Sequence, residues 1–282
     1  MKSVGVVTCR PLPEPDPDEG LLMSALETAG LAPTLLPWND PEADPGGFDL
    51  CVLRSCWDYH LAPRKFLRWA ECAAARSRLL NPVEVVRWNL HKGYLRQLES
   101  AGVPIVPTAW IGASDEVVLE ELMINRGWMD VVVKPAVGAG SHMTRRVAIA
   151  GAPGEGQRFL AEVAARGDVL VQPFLDSVLS SGERAIVWID GEFTHQVVKR
   201  PRYHGENEQV SAADQPAAGD LEIAERALAC IDPGLLYARV DIVDDAEGKP
   251  VISELELLEP SLFLLQHPPA LERLVAGIAA CF

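Results

Sequence analysis

Three carboxylates are spaced to share one face of a hairpin. Asp241 lies in the stretch 236–243, and Glu254 and Glu256 lie in the stretch 251–258. In the first, Val240 and Ile242 alternate with Arg239 and Asp241; in the second, Ile252, Leu255 and Leu257 are set against Ser253, Glu254 and Glu256. Period two is the strand period, and successive side chains point to opposite faces. Between them Asp244, Asp245, Glu247 and Gly248 supply a polar turn. Two like charges about 4 Å apart repel by roughly 4 kcal/mol at an effective dielectric of about 20. Such a face calls for a cation, and oxygen donors with room for water and phosphate suit Mg²⁺. The bland alternative is a solvated acidic hairpin. Arg239 on the same face weighs against it.

A small-residue loop upstream carries the complementary charge. The apolar run Val131, Val132, Val133 ends in Lys134 and Pro135, followed by Gly138, Ala139, Gly140, Ser141 and Thr144, with a second strand expected over 146–150. Glycines let backbone N–H groups converge on an anion, and a lysine adds a point charge. The spacing is not that of a Walker loop, and no helix follows directly. Lys92 is expected in the first turn of a helix over 92–101. A cation there opposes the helix dipole unless an anion binds beside it. Taken with the acidic hairpin, loop and lysines read as a site for a triphosphate and a metal. Lys199, Arg200 and Arg202 follow a hairpin turned at Asp190 and Gly191, with Glu183 at its entrance. They are a candidate clamp for phosphate or acceptor, or else a solvated hairpin end. Arg54, Ser55, Trp57, Asp58 and Tyr59 follow a strand expected over 49–54. The carboxyl edge of a parallel α/β unit is where its ligands bind. These five suit a substrate carboxylate or amine; Asp58 as cap of a helix over 64–75 is the alternative.

These residues resemble the ATP-grasp superfamily, in the branch of glutathione synthetase and ribosomal-protein glutamate ligases, over about residues 49–263. The stretches 49–60 and 81–89 look closest to small bacterial members, among them the cyclo-ligase of D-cycloserine biosynthesis. The resemblance implies an α/β and α+β architecture, the ATP-grasp fold: an N-terminal parallel-sheet pre-ATP-grasp domain at 1–88, a small lid domain at 89–168, and a larger antiparallel-sheet domain at 169–282 with the metal site. It implies that Lys92, Lys134, Glu183 and the loop 138–144 bind the nucleotide. Gln172, Pro173, Phe174 and Leu175 would form the linker beside adenine. Arg239, with Lys199 and Arg202, would act on the transferred phosphoryl group, and Asp241, Glu254 and Glu256 would be the metal ligands. Glu256 stands where many relatives have asparagine, and the loop 202–210 has no arginine at the place after Lys199-Arg200-Pro201 where many relatives carry one. The implied activity is that of an ADP-forming ligase with ATP and Mg²⁺. A carboxylate or ureido-type oxygen of a small amino-acid-like substrate would be phosphorylated and then attacked by an amine, in another molecule or in the same one. A small-molecule kinase and a non-catalytic nucleotide-binding module are the alternatives.

Composition narrows the partners. Forty acidic against 25 basic residues give a net charge of −15, which disfavours nucleic acid and anionic membrane surfaces. Six cysteines without CxxC or Cys/His metal spacing read as free, mostly buried thiols of a cytoplasmic protein. No apolar run is long enough to span a membrane. His142, His195 and His204 have no Ser/His/Asp set around them and read as structural or exposed side chains. The resemblance allows a homo-oligomer.

Overall fold

The computed structural model describes residues 1–200, 209–231 and 234–282. The chain first builds β1 (Ser3–Thr8), α1 (Glu19–Thr28), β2 (Ala32–Pro37), β3 (Leu50–Ser55), α2 (Pro63–Arg76), β4 (Arg78–Leu80) and α3 (Val83–Asn89). Their sheet runs β2-β1-β3-β4 with every pair parallel. Parallel sheets are covered on both faces, and β3 is buried along its whole length.

The middle of the chain adds α4 (Tyr94–Ser100), β5 (Ala109–Ile111), α5 (Leu119–Arg126), β6 (Asp130–Pro135), β7 (Arg145–Ala148), α6 (Gln157–Ala164) and β8 (Val169–Pro173). These strands form an antiparallel sheet in the order β5-β8-β6-β7. β8 thus pairs into the middle sheet although it follows the boundary drawn at 168/169. The largely apolar run 103–110 enters a strand only at β5. Pro104 and Pro107 each lack the N–H a ladder needs, and Ile105 contributes an isolated bridge to Ile252 instead. Lys92 lies before α4, in the connection from α3, and not in a helical first turn.

The last third comprises α7 (Ser177–Ser180), β9 (Glu183–Ile189), β10 (Glu192–Lys199), α8 (Ala218–Leu228), β11 (Tyr237–Asp244), β12 (Pro250–Glu256) and α9 (Pro268–Ala279). Its sheet runs β10-β9-β11-β12, all antiparallel. Asp190 and Gly191 turn β9 into β10 with φ of 43° and 92°, the positive values that a tight hairpin turn requires at both central positions.

This sheet is covered on both sides. Ala185, Val187, Ile189, Val197 and Tyr237 pack on Val4, Val6, Leu50 and Val52 of the first sheet and on Leu274 and Ile278 of α9. Ile186, Val240, Ile242 and Ile252 face Leu95 and Leu98 of α4 and Ala224 and Ala227 of α8. Each fully buried Leu or Ile side chain contributes about 1.5–3 kcal/mol. The charged residues of β9 to β12 therefore stand on a sheet held rigid from both faces. Among the described residues no helix is long and apolar enough to cross a membrane. All six cysteines are free; Cys9, Cys51 and Cys56 are buried as expected, whereas Cys72 and Cys230 are exposed.

Candidate active site

Register brings the acids together. Asp241 pairs with Glu254, and Arg239 pairs with Glu256, so all four share one face of the β11–β12 ladder. Lys199 and Glu183 are likewise cross-strand partners on β10 and β9. The small Ala185 of β9 lies opposite Asp241, and the Lys199 ammonium reaches across to the Asp241 carboxylate at 2.6 Å and to Glu183 at 2.9 Å. Arg239 donates through Nε and Nη2 to the two oxygens of Asp241, each at 2.9 Å, and also to Glu256. Lys92 donates to Glu254 and, at 2.9 Å, to the carbonyl of Gly138.

The expected repulsion among the three acids is thus answered from within. Burial by itself would raise the pKa of Asp241, but Arg239 and Lys199 outweigh it and hold it at about 2. Burial likewise opposes ionisation of Glu254, and Lys92 and Lys134 bring it below the usual range. Glu256 stays high, at about 7, because burial outweighs Arg239. Burial disfavours charge on Lys199, yet Asp241 and Glu183 raise it above an ordinary lysine. Among the described residues, no group of three or more acid, histidine or cysteine side chains is gathered as a ready metal cage. The donor chemistry still fits a hard divalent cation: three carboxylates stand on one face, and each is bound by a cation that could move to a phosphate.

Lys134 is the exception. It stands on β6 opposite Leu170, and among the described residues its ammonium has no ion-pair partner. Burial lowers its pKa, and Glu254 is the main electrostatic counterweight. The loop after it is tightly wound. Gly140, Ser141 and Met143 have φ of 56°, 57° and 51°. The N–H groups of His142 and Thr144 bond within the loop, to the carbonyls of Ala139 and Ser141. Ala139 packs against the core of the first sheet, and the His142 ring lies 4.7 Å from that of His60. Gln172 is buried on β8 and donates to Thr108 at 2.9 Å, and Pro173 is the register partner of Val131. The N–H of Phe174 is bonded to the carbonyl of Asp130, its ring lies 3.7 Å from the guanidinium carbon of Arg146, and Leu175 packs beside Val106. Arg202 lies outside the described residues.

The five residues after β3 divide sharply. Ser55 donates to Asp16. The Trp57 indole donates to the carbonyl of Glu259 at 3.0 Å. Asp58 accepts from Trp38 and Asn39 and caps no helix through its side chain. Tyr59 donates to the carbonyl of Gly138 at 3.3 Å. Trp57 and Tyr59 fasten the first sheet to the segment after β12 and to the loop, whereas Ser55 and Asp58 bond within the first unit. Arg54 is buried, and its Nη1 has no hydrogen-bond partner among the described residues.

Several positioning residues left no pattern in the sequence. β12 is an edge strand, and its outward backbone groups are taken up by side chains. Asn89 donates to the carbonyl of Leu255 and accepts from the N–H of Leu257. Tyr94 accepts from the N–H of Leu255. Asn81 donates to the carbonyls of Tyr237 and Leu257 and accepts from Leu236. Together they hold the strand that carries Glu254 and Glu256. Glu259, three residues beyond, is also buried at the site. Burial, then Glu256, push its pKa well up.

Comparison with known proteins places this geometry in a family. A family model described as the N-terminal domain of D-cycloserine synthetase DcsG matches residues 4–81. The cycloserine biosynthesis protein DcsG of Streptomyces lavendulae is 31% identical over 273 residues, 88% of each chain. The crystal structure of D-cycloserine synthetase DcsG superimposes with a TM-score of 0.91 at 28% identity, covering 99% of both chains. The ATP-grasp ligase PsnB, solved with a precursor variant, Mg and ADP, aligns with a TM-score of 0.67 at 17% identity over 99% of this chain and 98% of its own, a likeness of fold.

Proposed function

The chain belongs to the ATP-grasp superfamily, in the family of D-cycloserine synthetase DcsG, and from that premise we propose that it uses ATP to phosphorylate an oxygen of a small amino-acid-like substrate and lets an amine displace the phosphate. The bond made is an amide or a ring-closing equivalent, and ADP and phosphate leave.

The observation that carries this reading is the run of charge from Lys134 through Lys92 and Glu254 to Asp241, Lys199 and Arg239, lying under a glycine-rich loop that Lys92 itself holds at the Gly138 carbonyl. Phosphoryl transfer needs positioning and charge neutralisation more than covalent help. Lys92 and Lys134 would neutralise the inner phosphate oxygens, the first by leaving Glu254. Arg239 would meet charge on the transferred group and then on the oxyanion of the amine adduct. Lys199, between Glu183 and Asp241, would hold the acids in place and share that charge. The 138–144 loop would exclude water, which hydrolyses an activated acyl group. Asp241, Glu254 and Glu256 would hold Mg²⁺, which when bound neutralises and orients the phosphate oxygens. The backbone of 172–175 would line the adenine end, and the protein divides functionally as first sheet, lid and metal-bearing sheet, about 1–88, 89–168 and 169–282.

An ADP-release screen over amino acids and ureido or hydroxy amino acids, with mass spectrometry of the products, tests this reading. Release that depends on both Mg²⁺ and an amine-bearing substrate is expected. A stable phosphorylated product with no amine requirement would make the protein a kinase, and an undiminished rate in excess EDTA would remove the acids from the metal role.

A further inference from the structure

The glycine-rich loop is tied to the first sheet by contacts that the nucleotide chemistry does not use. The carbonyl of Gly138 accepts from two donors on separate segments, the Lys92 ammonium at 2.9 Å and the Tyr59 hydroxyl at 3.3 Å. The backbone N–H of Lys92 donates to the carbonyl of Ala136 at 2.7 Å. Val137 and Ala139, on either side of Gly138, pack into the core that Leu53, Cys56, Tyr59 and Phe66 share. Farther along the loop, the ring of His142 lies 4.7 Å from that of His60. The segment directly after β3 is thus the floor on which the loop rests.

The two donors to Gly138 differ in how firmly they are placed. Lys92 is a long side chain that also holds Glu254, and a phosphate would compete for it. Tyr59 is 4% exposed. Its ring lies 5.7 Å from that of Phe66 and 6.0 Å, edge on, from that of His60. Burial first, then Glu259, push its hydroxyl well above the ordinary tyrosine range, so it remains a donor. Burial, then His142, lower the pKa of His60, so it meets the loop as an uncharged ring. Resting on the ligase reading above, we propose that Tyr59, with His60 beside it, is a positioning residue that latches the 138–144 loop to the first sheet and keeps it shut over the nucleotide when Lys92 turns from Glu254 to phosphate. A carbonyl oxygen has two lone pairs, so weakening the lysine bond leaves the tyrosine bond in place. A side chain already fixed in a core loses little further entropy when the loop closes on it. Tyr59 acts through the loop and not on the reacting atoms.

The test uses the full chain with Mg²⁺ and the β,γ-imido analogue of ATP, so no second substrate is needed. Tyr59→Phe keeps the ring and removes one hydrogen bond, a change that corresponds to a factor of about 2 to 10. Dissociation of the analogue is expected to quicken by that factor with its association rate unchanged. Amide exchange over 136–144 should quicken alike, with the N–H groups of His142 and Thr144, which bond within the loop, as reporters. Exchange in β1, β3 and β9 to β12 should stay as in the unaltered protein. His142→Ala, which alters an exposed side chain, is expected to move both readouts the same way by about 2- to 5-fold, and His142→Phe to restore them. Unchanged dissociation and loop exchange in Tyr59→Phe would overturn the latch and leave the ligase reading intact. Faster exchange in β1 and β3 as well as in the loop would overturn it by making Tyr59 a support of the core. Failure of the analogue to bind the unaltered protein would overturn the nucleotide site, and the latch with it. Should Tyr59→Phe fail to fold, His142→Ala decides alone, and no change there would overturn the proposal.

Discussion

The face that carries Asp241 and the seam that carries Glu259 adjoin each other, yet they treat charge in opposite ways. On the face, Asp241, Glu254 and Glu256 are each held by Arg239, Lys199 or Lys92. At the seam, Arg54 stacks on the Tyr237 ring and leaves Nη1 without a hydrogen-bond partner among the described residues, and Glu259 has no ion pair there. The contrast teaches what each region is built to do. Paired charges stabilise the fold and must exchange partners to bind a nucleotide. Unpaired ones cost stability and are complemented only from outside. Lys134 belongs with the second group, and it sits beneath the loop.

The comparison can be broken in four places. The largest effect is expected at Arg239, which bridges Asp241 and Glu256. Arg239→Ala should lower kcat by about 1,000-fold or more, as removing an arginine at a transferred phosphate does, and leave ATP affinity largely intact. Loss of ATP binding in a titration would place Arg239 at the nucleotide instead.

The two lysines give the sharpest contrast. Lys92→Met strands a buried Glu254, and breaking such a pair costs about 3–5 kcal/mol. Lys134→Met breaks no ion pair among the described residues, so stability should hold while ATP affinity drops by about 10- to 100-fold. Urea unfolding without nucleotide reads the first outcome and ATP titration the second. Equal loss of stability in both would erase the distinction.

His195 extends the comparison to a buried group that faces no ligand. It is fully buried on β10, stacked 4.8 Å from the His267 ring, with Nδ1 near the Thr194 hydroxyl at 2.9 Å and Nε2 without a hydrogen-bond partner among the described residues. Burial first, then His267, lower its pKa from 6.5 to about 4. The folded chain keeps it neutral where the unfolded chain takes up a proton. Its contribution is therefore complete above the unfolded pKa and is lost as pH falls from about 6.5 towards 4, by up to about 3 kcal/mol. The stability gap between the protein and His195→Gln, measured in urea at neutral and at acid pH, should narrow on acidification. A pH-independent gap would mean that the fold does not shift the histidine's pKa.

The smallest effect is expected at Asn89. Asn89→Ala leaves the carbonyl of Leu255 and the N–H of Leu257 without their partner. Unsatisfied buried groups cost about 1–3 kcal/mol. Activity should fall with stability, because Leu255 lies between Glu254 and Glu256; hydrogen exchange faster at Leu257 alone would localise the loss.

Much of the architecture was legible because it is written in neighbouring residues. The Asp190–Gly191 hairpin, the β11–β12 hairpin and helix α2 fall where period and breakers put them. The short β4 and α3 left no such signal, and Pro104 and Pro107 keep the run before β5 out of the sheet. Site residues were legible by type and not by use. Ser55, Trp57 and Asp58 looked like substrate contacts because they are polar or aromatic at a strand end. In the fold their polar atoms already serve Asp16, Glu259, Trp38 and Asn39.

The amino-acid order alone determined that Asp241, Glu254 and Glu256 would share a face, since strand alternation is a property of adjacent residues, and that a lysine would precede a glycine-rich loop. Only the tertiary structure decided which charges are matched and which are left open. Asn89 reaches Leu255 across 166 positions, and Lys92 reaches Glu254 across 162. Pairing depends on distance in space at low dielectric, where a few ångströms separate a stabilising contact from a vacant one.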